Sequence, residues 1–194
     1  MKKVAIIPAR GGSIRIPRKN IKDFFGHPVL AYSIIAAEKS GLFDKIYVST
    51  EDEEIAEIAK KYGAAVIKRS QDLARNEVGT QEVVKNALRQ IEPYDYVCCI
   101  YATSPLIDIH DLKRGLSLLE SNRNINYAFS VGTEPLHDAG CFYWMKTEAV
   151  LNDKPLFSEN SIMVPISADR VCDINTQEDW DMAEKKYQSL RIST

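Results

Sequence analysis

Lys3 to Asn20 reads KVAIIPARGGSIRIPRKN, a short apolar run that breaks into a basic loop containing two glycines. The run Lys3 to Ala9 is nearly continuous in apolar residues, the pattern of a central strand covered on both faces. Behind it, Gly11 and Gly12 allow the backbone to approach a ligand closely, and Arg10, Arg15, Arg18 and Lys19 bring four positive charges within ten residues. Exposed N–H groups flanked by cations suit a polyphosphate, which needs both donors and charge neutralisation. The spacing is neither GxGxxG nor a Walker loop, so dinucleotide and P-loop readings do not follow. A solvated basic turn is the alternative, and the position directly after the first strand favours the ligand site.

Working outward, further apolar runs occur at Lys45 to Ser49, Ala64 to Ile67, Tyr94 to Tyr101 and Tyr127 to Val131. Between them lie segments of helical spacing: Ile55, Ile58, Ala59 and Tyr62, then Val84, Ala87, Leu88 and Ile91, then Leu112, Leu116 and Leu119. Trp180, Ala183, Tyr187 and Leu190 mark a last helix, and Leu30 to Ala37 is apolar almost all round, as in a helix covered by its neighbours. Strand and helix in alternation predict an α/β fold, a doubly wound αβα sandwich in three layers with right-handed crossovers. Such sheets bind ligands beyond the carboxyl ends of their strands, so the candidate loops follow Ala9, Ser49, Tyr101 and Val131. From about Glu134 to Ser167 the alternation is lost, with CFYWM (141–145) a strand inside an irregular stretch. No repeat or linker divides residues 1–194, and one domain is expected.

Composition narrows the classes of function. The 194 residues carry 25 Lys plus Arg against 27 Asp plus Glu, a net charge of −2 without a basic block, so no nucleic-acid partner is suggested. A chain of this length buries roughly 70% of its unfolded surface, enough to fold without disulfide or metal. No apolar run approaches the ~18 residues of a membrane span, and MKK leads directly into a core strand, which predicts a cytoplasmic protein. Cys98, Cys99, Cys141 and Cys172 form no CxxC pair and read as reduced core thiols.

Three further segments carry polar chemistry. In VCDINTQEDW, Asp173 and Asn175 stand two apart and share a face in an extended chain, where two oxygens suit Mg²⁺ completed by water and substrate phosphates. Helix capping by Asn175 or Thr176, with Glu178 closing a capping box, is the competing reading and is compatible with the first. YATSP places Thr103 and Ser104 after the fourth strand, as hydroxyls for a polar substrate or as a plain capped loop. His137 and Asp138 are a candidate acid–base pair, or simply surface residues. Ser49 and Thr50 before EDEE read as a helix start with acidic residues favoured by its dipole, which leaves Asp52 no catalytic role.

Together, IIPARGGSIRIPRKN, IYVST with EDEEIA, YATSP and DINTQEDW resemble the acylneuraminate cytidylyltransferases, the CMP-sialic acid synthetase family, in order over nearly the whole chain. YATSP followed by HDAGCFYW looks most like the pseudaminic acid branch. The resemblance implies the nucleotide-diphospho-sugar transferase type of Rossmann-like sandwich. It also implies a reaction in which the anomeric hydroxyl of a nine-carbon sugar acid attacks the α-phosphorus of CTP and expels pyrophosphate, with Mg²⁺ as cofactor. On this resemblance Ala9, Arg10 and Gly11 hold the triphosphate, flanked by Gly12, Ser13 and Arg15 and completed by Lys19 and Asn20. Arg69 and Thr80 match positions that contact cytosine and ribose. Asp173 matches the principal metal carboxylate and Asn175 its second ligand; Arg10, Lys19 and Asp173 would carry the catalysis. Tyr101, Thr103, Ser104, His137 and Tyr143 would face the sugar.

The chain departs from the family pattern at three places. The loop reads Gly12, Ser13, Ile14 where relatives have a lysine third, leaving Arg15 to supply that charge. Asn175 stands where many relatives carry an aspartate. After FSVGTEP (129–135) the chain passes directly to LHDAGCFYW, without the longer segment that in the family completes the sugar pocket and makes the dimer contact. A homodimer would therefore lack its usual interface. Two alternatives stay beside cytidylyl transfer: a degenerate homologue that binds nucleotide without turnover, and a nucleotidyltransferase for another sugar.

Overall fold

A computed structural model describes residues 1–75 and 77–192. The first strand, β1 (Lys3–Pro8), lies between β4 (Lys45–Thr50) and β6 (Tyr96–Ile100) and runs parallel to both. Beyond β4 comes β5 (Ala65–Lys68), also parallel. On the other side β6 is followed by β8 (Leu136–Lys146), β7 (Tyr127–Thr133) and β9 (Ser161–Pro165), giving the order β5-β4-β1-β6-β8-β7-β9. β8 is antiparallel to both of its neighbours, so the sheet is mixed. This is why alternation fades after Glu134: β7 returns directly into β8 through the turn at Glu134 and Pro135, with Thr133 facing Leu136.

Helices cover both faces. Ala5 and Ile7 of β1 pack with α1 (Val29–Ser40), α2 (Glu53–Lys61) and α4 (Ile109–Ser121), while Val4 and Ile6 pack with α3 (Thr80–Leu88) and α5 (Thr147–Leu151). The alternation of side chains along one strand thus feeds two cores, which is the physical content of the three-layer sandwich. A smaller cluster joins α6 (Gln177–Ile192) to the two-stranded hairpin of β2 (Asp23–Phe24) and β3 (His27–Pro28), with Phe24 making edge contacts to Tyr32, Trp180 and Tyr187. The sequence reading missed this hairpin, α5 and β9, each too short to display a period. No helix among the described residues is long and apolar enough to cross a membrane. Cys98, Cys99 and Cys141 lie in the core, where burial pushes the Cys141 thiol up to about 12.

Two expected helix starts need correction. Ser49 and Thr50 end β4, and the residue that caps α2 is Asp52, whose carboxylate accepts from the Ile55 N–H at 3.0 Å. At α6, Thr176 and Asp179 close a reciprocal capping box: Asp179 accepts from the Thr176 N–H at 2.7 Å, and the Thr176 hydroxyl accepts from the Asp179 N–H at 3.3 Å. Glu178, expected in that role, sits one residue too early.

Gly115 of α4 lies against β8 so closely that an added Cβ would stand 2.9 Å from Trp144 Cδ1 and 3.0 Å from Phe142 Cε2. Both rings are fully buried. Gly115→Ala gains about 1 kcal/mol of helix propensity, but overpacking a locked core costs roughly 1–3 kcal/mol. The expected net result is a melting temperature lowered by a few degrees in a thermal melt; an unchanged or raised value would show that the Trp144 layer can yield.

Candidate functional site

The carboxyl ends of β1, β5 and β6 open into a cavity of about 280 Å³ on the α3 side of the sheet. Arg10, Arg15, Lys19, Arg69 and Arg75 line it, and among the described residues no carboxylate does. Five cations around one volume of this size form a site for a polyanion, since charge of one sign concentrated in a cleft is costly until a counter-charge enters.

Four of the cations are held by hydrogen bonds to other segments of the chain. Asn20, buried in the loop, donates to the Arg10 carbonyl at 2.9 Å and so ties the far end of the basic loop to its start. The Arg10 guanidinium donates to the Ala74 carbonyl at 3.3 Å, in the segment that roofs the cavity. Lys19 donates to the Ile174 carbonyl, and burial, reinforced by Arg15 and Arg10 and partly opposed by Asp173, lowers its pKa below the ordinary lysine range. Arg15 donates to Asn175 Oδ1 at 2.8 Å. Arg69 enters from the end of β5 with its Nε donating to Glu51 Oε2 at 3.1 Å. Burial lowers the Arg69 pKa, and Glu51 works against that shift.

Arg18, the fourth cation of the basic loop, is not at the cavity. It has φ 54° and donates to Asp52 and Glu54 at the start of α2. The left-handed backbone costs on the order of 1 kcal/mol at a non-glycine residue, and the double ion pair holds it there. Its guanidinium in turn keeps the Asp52 carboxyl below the usual carboxylate range. The sequence counted charges along the loop; only the backbone geometry separates the one that faces away.

The other expected residues divide in the same manner. Ser13, Asn20, Thr80, Tyr101, Thr103 and Asn175 line the cavity, together with Ile14, whose side chain is 78% exposed. Thr80 Oγ1 and the Tyr101 hydroxyl lie 2.7 Å apart. Ala9 is buried and its N–H continues the sheet to the Ser49 carbonyl. The Gly11 N–H is not free for phosphate: it donates to Glu51 Oε1 at 2.7 Å. Gly12 is likewise absent from the lining. Ser104 turns inward, buried, and donates to the Cys141 carbonyl at 3.3 Å. Tyr143 is buried behind Tyr101, ring centroids 5.4 Å apart, and donates to Asp138 Oδ2 at 2.7 Å. His137 stands exposed on the β7–β8 hairpin with Nδ1 2.6 Å from the Pro135 carbonyl, away from the cavity lining. The expected His137–Asp138 acid–base pair does not form: neighbours on a strand point to opposite faces, and Asp138 is taken by Tyr143.

Asp173 is exposed and does not itself line the cavity; it stands beside Asn175, which does. Asn175 Nδ2 donates to Asp173 Oδ2 at 2.7 Å while Asn175 Oδ1 accepts from Arg15, and since Asp173 only accepts and Arg15 only donates, the amide orientation is fixed. Among the described residues no group of three or more His, Cys, Asp or Glu side chains gathers to hold a metal. One exposed carboxylate oxygen beside a polyanion site still fits Mg²⁺, which commonly uses one or two carboxylates and takes its remaining ligands from phosphates and water. Glu51, which reaches both Gly11 and Arg69, is the residue the sequence reading overlooked; its position directly after β4 was the available signal.

Comparison with known proteins agrees with this geometry. Residues 4–186 match the family model described as Cytidylyltransferase. The pseudaminic acid cytidylyltransferase of Campylobacter jejuni is 37% identical over 225 aligned positions, covering 97% of each chain. With 194 residues here, at least 31 of those positions (225 − 194) belong to segments of the relative without counterpart in this chain. In Helicobacter pylori a pseudaminic acid cytidylyltransferase that is also a UDP-2,4-diacetamido-2,4,6-trideoxy-beta-L-altropyranose hydrolase is 34% identical, over 90% of this chain and 40% of its own length. A solved CMP:2-keto-3-deoxy-manno-octonic acid synthetase complexed with CTP superposes with a TM-score of 0.80, covering 97% of this chain and 99% of its own, at 15% identity, a likeness of fold. The family and branch expected from the motifs are thus borne out, and so is the nucleotide-diphospho-sugar transferase sandwich. A matched model over nearly the full length and a relative of this identity at full coverage place the chain in the cytidylyltransferase family, as a nucleotidyltransferase.

Proposed function

We propose that the protein transfers CMP from CTP to the anomeric hydroxyl of a nine-carbon sugar acid of the pseudaminic type, releasing pyrophosphate. The observation that carries this reading is the carboxylate-free cavity with five cations at the carboxyl edge of the sheet, in a chain 37% identical to a pseudaminic acid cytidylyltransferase. In the reaction the sugar hydroxyl releases its proton to water as its oxygen bonds to the α-phosphorus, the bond from that phosphorus to the bridging oxygen breaks, and pyrophosphate leaves with the electron pair. Negative charge grows on the leaving phosphates, so cations fixed in advance stabilise the transition state more than the ground state. That Arg10, Arg15 and Lys19 are each hydrogen bonded, to Ala74, Asn175 and Ile174, supports this role for them.

Thr80 and Tyr101, hydrogen bonded to each other, form the wall for the nucleoside, with Arg69 beside them. Thr103 is the hydroxyl left for the sugar, since Ser104 is engaged inward. Asp173, with Asn175, would hold Mg²⁺, which when bound supplies charge neutralisation at the phosphates and acidifies a bound hydroxyl. For the amide oxygen to join, Arg15 must release it, and a triphosphate in the cavity competes for the same guanidinium.

Ile14 favours a second reading, nucleotide binding without turnover, because an exposed isoleucine stands on the cavity wall where the family resemblance expects a lysine. Pyrophosphate release from CTP and Mg²⁺ in a panel of nonulosonic acids separates the two. Release with a pseudaminic-type acid is the expected result; nucleotide binding with no release from any sugar acid would support the second reading. Asp173→Ala is expected to lower turnover by about 100-fold or more while leaving the melting temperature unchanged, since the residue is exposed. Undiminished activity would remove it from the site. Ile14→Lys adds a cation at the wall and is expected to tighten CTP binding several-fold in calorimetric titration; no change would mean Arg15 already fills that place.

Lys19 gives the pH dependence. Its lowered pKa means that the ammonium needed for a polyanion is fully present below that value and lost as pH rises through it. CTP affinity is expected to fall on the alkaline side with an inflection below the usual lysine range, and that inflection is absent in Lys19→Met. An identical pH profile for the variant would assign the dependence to another group.

A further inference from the structure

Glu51 does not line the cavity, yet its carboxylate bonds both the basic loop and Arg69 on the cavity wall. Its side chain is 7% exposed and pairs with Arg69, whose side chain is 3% exposed. Oε1 accepts from the Gly11 N–H at 2.7 Å and Oε2 accepts from Arg69 Nε at 3.1 Å. The first bond fixes the beginning of the basic loop and the second fixes the cation at the end of β5. A Cβ on Gly11 would stand 2.3 Å from Asp52 Oδ2, so the loop is seated directly on the turn between β4 and α2. Arg18 ties the other end of the loop to the same turn through Asp52 and Glu54. Glu51 connects that anchoring to a cavity wall through the Arg69 side chain.

We propose that Glu51 is a positioning residue for cytidylyl transfer, a buried carboxylate that sets the spacing between the phosphate loop and Arg69. The proposal rests on the reading of the cavity as the nucleotide site. Two donors from different elements converge on the two oxygens of one group, so a carboxylate is required: an amide of the same shape offers a single acceptor and turns its own N–H toward the second donor. The negative charge also offsets one of the five cations from behind, where it does not obstruct a phosphate. A group with those three properties preorganises the site, so that the nucleotide does not have to order the loop on arrival.

The test is calorimetric titration of CTP with Mg²⁺ into wild type, Glu51→Gln, Arg69→Met and the double variant, beside thermal melts of each. Leaving a buried donor unpaired is expected to weaken CTP by about 10-fold or more in Glu51→Gln, measured on the folded protein. In the Arg69→Met background a single acceptor suffices for Gly11, so the same substitution is expected to cost less than about 3-fold. A purely structural role would lower the melting temperature and the amount of competent protein but leave the affinity of the folded fraction unchanged, and that result overturns the proposal. Equal losses in both backgrounds would also overturn it. Should Glu51→Gln melt below the assay temperature, Glu51→Asp keeps both acceptors but withdraws them by a methylene. It must then weaken CTP by about 3-fold or more, and unchanged affinity overturns the proposal. Wild type that fails to bind CTP overturns the reading of the cavity and this proposal with it, whereas equal CTP affinity in wild type and Glu51→Gln overturns this proposal alone.

Discussion

Five like charges facing one small volume repel one another, and the fold must hold them there before any counter-charge arrives. The cost is met locally at each cation. Carbonyls of Ala74 and Ile174 accept from Arg10 and Lys19, the Asn175 amide accepts from Arg15, and Glu51 stands behind Arg69. Arg75 reaches back to Asp72 in its own segment. None of these acceptors is a carboxylate in the cavity lining, so the polyanion meets donors without meeting repulsion. The acidic turn between β4 and α2 is therefore as much a part of the site as the basic loop opposite it. The same turn caps α2 through Asp52, which couples the stability of that helix to the seating of the loop.

Placement of the site follows from sheet topology. Four parallel strands direct their carboxyl ends to one edge, and side chains from several loops converge there. Inserting β8 antiparallel between β6 and β7 carries Tyr143 behind Tyr101 and brings Cys141 under Ser104. At the bulge in β7, the buried Ser130 hydroxyl accepts from the N–H groups of Cys141 and Phe142, which keeps the pairing satisfied where the register shifts. The β7–β8 turn is two residues long, Glu134 and Pro135, at the point where the family resemblance expects a longer segment. The cation-lined cavity is thus built within one chain, with Thr103 on its wall beyond Tyr101.

The sequence resolved what depends on periodicity and little of what depends on direction. Continuous apolar runs located β1, β4, β5, β6 and β7, and helical spacing located α2, α3, α4 and α6, because burial imposes those periods over many residues. Two-residue strands such as Asp23–Phe24 and a five-residue helix such as Thr147–Leu151 impose no countable period, and β9 hid inside the irregular stretch. At the site, ten of the expected residues line the cavity, since the loop positions followed from strand ends. Orientation was not legible: Arg18 and Arg15 look alike in sequence, and only a positive φ turns one away. Thr103 and Ser104 are chemically equivalent, yet one faces the cavity and the other the core. Glu51 was read as part of a helix start, because a single sequence does not reveal that Gly11 and Arg69 arrive from two distant segments to share it.

The central claim is that the cation-lined cavity is a nucleotide site selective for cytosine. Isothermal titration of the purified protein with CTP, UTP and ATP, with and without Mg²⁺ and before any sugar is added, tests it most directly. The account predicts saturable binding of CTP, strengthened by Mg²⁺ and at least about tenfold tighter than for UTP or ATP, a difference of about 1.4 kcal/mol. Equal affinity for all three would reduce the cavity to an unselective polyphosphate site, and no binding of any would contradict the account outright.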